Sequence, residues 1–187
     1  MSEQQNGPAW STPSITIRPA VPADSVASQI DGSFVTETIY EVDHSATGFT
    51  FSEVPAPNPV VKHFPKDGST DDESDDSCRY VAVSPLGGPC GFIDLQYEAW
   101  NRRLVVADIE IASAHRGRGL GQRLLQTAAE HGRAVGARIL WLEVSNVNAP
   151  AIRSYLRAGF NFCGLDVTLY VGTESEGEIA IYMSRNL

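Results

Sequence analysis

The stretch from Leu104 to Val135 constrains this chain more than any other. It opens with Leu104-Val105-Val106-Ala107-Asp108-Ile109-Glu110-Ile111, which reads as a strand. A short turn leads into Arg116-Gly117-Arg118-Gly119-Leu120-Gly121, and the apolar spacing then becomes helical. Leu120, Leu124, Ala128 and Val135 are expected along one helix face. A strand, a glycine-rich turn and a helix start together make an anion site. Glycines let backbone approach a ligand without side chains in the way. The first-turn N–H groups have no partner inside the helix, and the field at that end favours negative charge. Arg116 and Arg118 are expected to add to it.

Two nucleotide motifs are excluded. A Walker A loop needs Gly-Lys-Ser/Thr, whereas Gly121 is followed by Gln122-Arg123. The dinucleotide fingerprint needs a third glycine where Leu124 stands. What remains is R-x-x-G-x-G at Arg116, Gly119 and Gly121. A second segment runs Asn148-Ala149-Pro150-Ala151-Ile152-Arg153-Ser154-Tyr155-Leu156-Arg157-Ala158-Gly159-Phe160. The first motif resembles the pyrophosphate-binding signature of GNAT-type N-acetyltransferases, and the second resembles the later signature of the same family, in the right order. The resemblance covers residue 14 to the C-terminus and is strongest from Trp100 onward. A narrower likeness is to streptothricin (nourseothricin) acetyltransferases. It rests on Asp31-Gly32-Ser33-Phe34, Ala99-Trp100-Asn101-Arg102-Arg103-Leu104, Asp108-Ile109-Glu110, Trp141-Leu142-Glu143-Val144, Asn146 to Ile152, and Cys163-Gly164-Leu165-Asp166 continuing to Leu169-Tyr170. The acidic stretch after Lys62-His63-Phe64-Pro65 also has a counterpart there. The leader and the residues between these runs differ, which leaves room for a changed substrate.

The resemblance implies an α/β (α+β) GNAT fold, a mixed twisted sheet flanked by helices on both sides, with acetyl-CoA as cosubstrate and no metal. It implies direct acetylation of an amino group on the β-lysine arm of a streptothricin-class antibiotic, which confers resistance. Two rivals stay open: acetylation of a protein N-terminus or polyamine, and a non-catalytic acyl-CoA-binding module.

Composition sets wider limits. With 187 residues, 42% of them hydrophobic, one ordinary core and one domain are expected over residues 14 to 187. Residues 1 to 13 read as a flexible polar leader, and the acidic run within about 66 to 77 as a disordered loop. No apolar run is long enough for a bilayer, and no secretory signal pattern opens the chain. Cys78, Cys90 and Cys163 lack metal or redox spacing and read as reduced thiols of a cytoplasmic protein. A net charge of −9 argues against nucleic acid and suits a small cationic amine. The oligomeric state is undecided, and a homodimer is compatible with the sequence.

Elements are expected in this order: a strand at Ile15 to Arg18, a helix from Pro22 to Ile30, and an ambiguous run from Phe34 to Val42. A strand from Phe49 to Val54 should be broken by Pro55, Pro57 and Pro59, with a short edge strand from Val60 to Phe64. Arg79 to Ser84 and Cys90 to Tyr97 read as a hairpin around Gly87-Gly88-Pro89. Gly136 should end the first helix. Arg138 to Val144 is the next strand, and Asn148 caps a helix that Gly159 terminates. Two strands follow, from Phe160 to Tyr170 and from Glu178 to Ser184.

The implied reaction needs an uncharged amine. A lysine-like ammonium has a pKa near 10.4, so using its neutral form at pH 7 costs roughly 4–5 kcal/mol unless the site helps. A carboxylate can hold the cation and pass its proton to water. Asp108 and Glu110 share one strand face; the alternative is two ordinary surface acids. Asp108 is expected to bind the ammonium. Glu143 shares a face with Ile139 and Trp141, and family resemblance makes a glutamate there the proton acceptor. The residues alone do not choose between Glu110 and Glu143. Tyr155 is, by resemblance, the donor to the departing thiolate. Main chain at Ile109, Glu110 and Ile111 should pair with pantetheine and offer an N–H to the thioester oxygen. Gly117, Arg118, Gly119, Leu120, Gly121 and Gln122 should hold the diphosphate with Arg116, and Asn148 should add a pantetheine contact. Trp100, Tyr97 and Tyr170 are candidate aromatic walls for a cation, with core packing as the alternative. His115 reads as a surface residue.

Overall fold

A computed structural model describes residues 14–22, 24, 30–63 and 76–187. Parallel pairing occurs at one place in its main sheet. There β6 (Arg103–Ile111) runs beside β7 (Ile139–Ser145), and α1 (Leu120–Ala134) makes the crossover between them. A parallel neighbour requires such a crossover, whereas antiparallel strands can be joined by a tight turn. Around this pair lie β1 (Thr16–Pro19), β4 (Ser77–Val83), β5 (Pro89–Glu98), β8 (Asn161–Asp166) and β9 (Ala180–Asn186). The strand order is β1-β4-β5-β6-β7-β9-β8. A separate antiparallel ribbon pairs β2 (Phe34–Ser45) with β3 (Gly48–Lys62). The second helix, α2, spans Ala149–Arg157.

Strict alternation on β7 buries Leu140, Leu142 and Val144 and leaves Ile139, Trp141 and Glu143 half-buried on the other face. The buried side meets Leu120, Leu124, Leu125 and Ala128 of α1 and Ile152 and Tyr155 of α2 in one core. Both described helices therefore serve the same core. A smaller cluster of Ile30, Val81 and Phe92 marks the opposite face at β4 and β5. The helix expected at Pro22 to Ile30, which would supply the second flank, lies mainly outside the described residues. So do residues 1–13, and so does the acidic run through residue 75. Its last acid, Asp76, accepts a 2.9 Å bond from the Tyr97 N–H, and Ser77 already begins β4.

Two features open the sheet at its centre. Opposite β5, the register steps from Asp94↔Asp108 to Leu95↔Val106, which leaves Ala107 as a bulged residue in β6. A bulge re-aims the strand beyond it. On the other side, pairing with β7 stops at Val106↔Leu142. From Ala107 to Ile111 one edge of β6 is therefore unpaired within the sheet, and a gap faces Glu143 to Ser145. The gap is limited to these residues, because the two strands stay paired from Arg103↔Ile139 to Val106↔Leu142.

The ribbon is joined to this gap by Asn146, a buried polar residue with its bonds filled. Its Nδ2 donates to the Tyr40 carbonyl at 2.9 Å, its Oδ1 accepts from the Ile179 N–H at 2.9 Å, and its carbonyl accepts from the Tyr40 N–H at 2.8 Å. Phe51 packs on Phe162 at 4.3 Å between ring centres, and Arg153 of α2 bonds Glu53 at 2.6 Å.

Several expectations are corrected. Pro55, Pro57 and Pro59 do not end a strand, since β3 runs through all three to Lys62. A strand paired on one side loses no ladder bond where alternate N–H groups point away from the partner, and the register shifts between Thr36 and Thr38 opposite this stretch. Val135 lies beyond the helix and is 38% exposed. Gly132 takes the fourth buried place because a Cβ there would come within 2.5 Å of Leu187. β8 stops at Asp166, where the Asp166 side chain accepts from the Thr168 N–H and turns the chain.

Candidate active site

Leu120 begins α1 after Gly119, whose φ of +81° is one that side-chain-bearing residues rarely adopt; Gly117 also has a positive φ, +69°. No atom lies within 4 Å of where a Cβ would stand on either glycine, so the turn faces open space. Among the described residues, the main-chain N–H groups of Gly117 to Gln122 have no hydrogen-bond acceptor, and no acid sits in the first helical turn. Such a run of amides at a helix start can take an anion. Arg118 is exposed beside it. Arg116 is not available to it in the expected way. Its guanidinium donates to the carbonyls of Ile111 (2.7 Å), Ser33 (2.5 Å) and Asp31 (2.7 Å). The Gln122 side chain reaches the Ser154 carbonyl at 2.8 Å and so ties α1 to α2, leaving its N–H for a ligand.

The gap continues this surface. Ala112 N–H donates to the Cys90 carbonyl. By strand alternation, Glu110 then bonds toward β5, while the N–H groups of Ile109 and Ile111 face the gap, where the Ile109 N–H also meets the Asp108 carboxyl. Asn148 caps α2 by accepting from the Ala151 N–H at 3.2 Å. Any further contact it makes would use its amide nitrogen.

Tyr155, on α2, is buried beneath the gap. Its phenol is held well above the ordinary range by burial first, then by the charges of Asp108 and Glu143. The charges of two acids on different strands thus reach one phenol. Asp108 is exposed by area, yet protein crowds its carboxyl enough to push it up to about 6, with the Asp94 charge as the next cause. Asp94 is the cross-strand partner of Asp108 and is forked by Arg79 at 2.5 and 2.6 Å. Glu143 is also raised, by burial, while a hydrogen bond from the Tyr170 hydroxyl lowers it and the Glu178 charge raises it. Glu178 is in turn held by Lys62 Nζ at 2.5 Å and by the Ser145 hydroxyl at 2.5 Å.

Asp108, Glu143, Tyr155 and Tyr170 are therefore brought together. Glu110 shares the Asp108 face but is packed against Gly32. Trp100 and Tyr97 are not brought to the gap. Trp100 is 85% exposed in the turn after β5, and Tyr97 packs on the core opposite Leu104. Five residues of strand, roughly 17 Å, separate Arg103 at that end from Asp108. His115 is half-buried, with its Nδ1 shielded and unbonded among the described residues. Sequence reading missed Arg79, Asp94, Lys62 and Glu178. The first two were within reach, because the Gly87-Gly88 hairpin pairs Arg79 with Asp94, an acid set between Ile93 and Leu95. Lys62 and Glu178 carried no such signal, being 116 residues apart.

The family model described as Acetyltransferase (GNAT) family matches residues 38–160. This chain belongs to the GNAT acetyltransferase family. The acetyltransferase is 52% identical, over 89% of its length and 92% of the relative's, to a protein named Streptothricin acetyltransferase from Streptomyces lavendulae. Its fold superposes on the crystal structure of Nourseothricin acetyltransferase with a TM-score of 0.84 and 48% identity, covering 92% of this chain and 98% of that one. A Bacillus anthracis structure in complex with acetyl coenzyme A shares the fold at 24% identity and a TM-score of 0.79, over 93% of this chain and 98% of that one. It is an acetyl-CoA-dependent N-acetyltransferase. Among the described residues no helix is long and apolar enough to cross a membrane.

Proposed function

We propose that this acetyltransferase moves the acetyl group of acetyl-CoA onto an amino group of the β-lysine arm of a streptothricin- or nourseothricin-class antibiotic, and so confers resistance. The reading is supported by the buried Tyr155 phenol, which feels the charges of Asp108 and Glu143, beside a strand edge left unpaired beyond Val106. The substrate class follows the relatives named for these antibiotics. Three unpaired cysteines suit a cytoplasmic site of action.

The amides of Gly117 to Gln122 take the diphosphate, and the N–H groups of Ile109 and Ile111 take the pantetheine and the thioester oxygen. The ammonium enters between Asp108 and Glu143. One carboxylate accepts its proton and passes it to water, and Asp108, pushed up to about 6, is closer to neutrality than an ordinary aspartate. The freed nitrogen attacks the thioester carbon, a C–N bond forms and the C–S bond breaks. Tyr155 donates a hydrogen bond to the departing sulfur. A thiol has a pKa of about 8.5, and this phenol is far weaker as an acid, so Tyr155 stabilises the thiolate and solvent completes its protonation. Tyr170 orients the Glu143 carboxylate.

The test is acetyl transfer from labelled acetyl-CoA by the purified chain to nourseothricin, to spermidine and to an N-terminal peptide, with a resistance assay in a sensitive bacterium. Labelled antibiotic and resistant cells are expected. Labelled peptide or spermidine with unmodified antibiotic would replace the substrate reading, and cofactor binding without any transfer would make the chain a binding module.

A further inference from the structure

We infer that Arg116 is a positioning residue for the amine acceptor and not a ligand of the cofactor, an inference that rests on the acetyl-transfer reading above. Its place in the glycine-rich turn suggests a phosphate contact, but its guanidinium is committed elsewhere. Nε donates to the Ile111 carbonyl at 2.7 Å, Nη1 to Ser33 at 2.5 Å and Nη2 to Asp31 at 2.7 Å. Three carbonyls from two distant segments are gathered on one rigid fork, which a lysine point charge cannot do.

The segment so held is Asp31-Gly32-Ser33. It is also shaped from within, because the Ser33 N–H donates to Asp31 Oδ1 at 2.9 Å. Its middle residue lies against the Glu110 carboxyl group. A Cβ on Gly32 would stand 2.6 Å from Glu110 Oε1 and 2.9 Å from its carboxyl carbon. Glu110 is two residues from Asp108 on the same strand face. A chain of contacts thus runs from the cofactor turn through Arg116 to the strap at 31 to 33, then to Glu110 and the rim of the acceptor pocket. The glycine at position 32 is what allows the close approach. Arg116 holds the strap in place, and the strap fixes the Glu110 carboxylate at the mouth used by the amine.

The experiment compares Arg116→Met and Gly32→Ala with the wild type. Acetyl-CoA Kd is measured by calorimetry without acceptor, and KM with whichever amine the wild type acetylates. Both variants should raise the acceptor KM by about tenfold or more, the order expected when a hydrogen bond to a charged group is lost. Acetyl-CoA Kd should stay within about twofold, less than one such bond is worth. A KM rise unmatched in Kd is a split that general loosening would not produce. Gly32→Ala leaves Arg116 intact and meets only the end of the Glu110 side chain, with no backbone in the way, so it decides the matter if Arg116→Met does not fold. An Arg116→Met protein whose acetyl-CoA Kd weakens as much as its acceptor KM rises would return the residue to the cofactor. An unchanged acceptor KM in Gly32→Ala would sever the link through Glu110. A wild type that binds acetyl-CoA and modifies other amines but not the antibiotic overturns the substrate reading alone.

Discussion

The cofactor side and the acceptor side of the strand gap are built by opposite means. The proposed cofactor side comes from two neighbouring runs, Ile109 to Ile111 and Gly117 to Gln122, and presents mostly main-chain N–H groups. The acceptor side gathers side chains from segments far apart in the chain: Asp108, Glu143, Tyr155, Tyr170, and the Lys62–Glu178 pair behind them. Backbone donors are removed only by proline and are otherwise merely blocked or strained, which suits a ligand as constant as a diphosphate. Side chains can drift while the sheet stays put, which suits a substrate that differs between relatives.

The largest effect should come from blocking the backbone side. Gly119→Val places a branched side chain at φ +81° in the open space before the amides. Acetyl-CoA affinity should fall on the order of a thousandfold, the value of two or three charge-assisted hydrogen bonds. The fold should survive, since one left-handed residue costs about 1–2 kcal/mol. Calorimetry and thermal melting separate the two effects, and an unchanged affinity would move the diphosphate elsewhere.

Tyr155→Phe attacks the junction of the two sides. Turnover should drop by about a hundredfold with acetyl-CoA Kd unchanged, as for loss of a positioned hydrogen bond to charge that develops on the leaving sulfur. A drop in affinity instead of rate would make Tyr155 a packing residue.

Asp108→Asn sharpens the acceptor side. We expect a loss of about tenfold in kcat/KM for the amine and disappearance of the acidic limb near pH 6. The stability sign is opposite to that of a usual surface aspartate. The native group titrates at about 6, against an ordinary 3.8. Its contribution is present below the lower value and is lost as pH rises through the higher one. The variant should therefore gain in melting temperature over the wild type at pH 8 and not at pH 3. An equal difference at both pH values would remove the shifted titration.

Tyr170→Phe is the mildest test. Removing the hydroxyl that bonds Glu143 takes away the one influence that lowers that carboxyl. Turnover should fall by a few fold, with the Glu143 limb displaced to higher pH. A profile identical to the wild type would detach Tyr170 from the proton path.

This contrast also explains what could be read in advance. The strand, the glycine turn, α1, the Asn148 cap and the Gly159 stop were legible because each is fixed by residues within a few positions of one another. Of the proposed acceptor side, strand alternation pointed to Asp108, family likeness pointed to Glu143 and Tyr155, and Tyr170 entered only as a candidate aromatic wall. Strand alternation could not show that Trp100 sits at the far end of β6, since periodicity gives the face of a residue and not its distance from the gap. Nor could it show that β3 continues through three prolines, because that depends on which edge has a partner. The bonds of Arg116 to the carbonyls at 31 and 33 were not legible, because those partners are reached only through the tertiary fold.

The most direct test of the division of labour is amide-resolved NMR titration of the wild type with acetyl-CoA and, separately, with the antibiotic. Acetyl-CoA should shift the amides of Gly117 to Gln122 together with Ile109 and Ile111, and the antibiotic should shift the surroundings of Asp108, Glu143 and Tyr170 while leaving the glycine turn still. Silence of Gly117 to Gln122 on saturation with acetyl-CoA would contradict it.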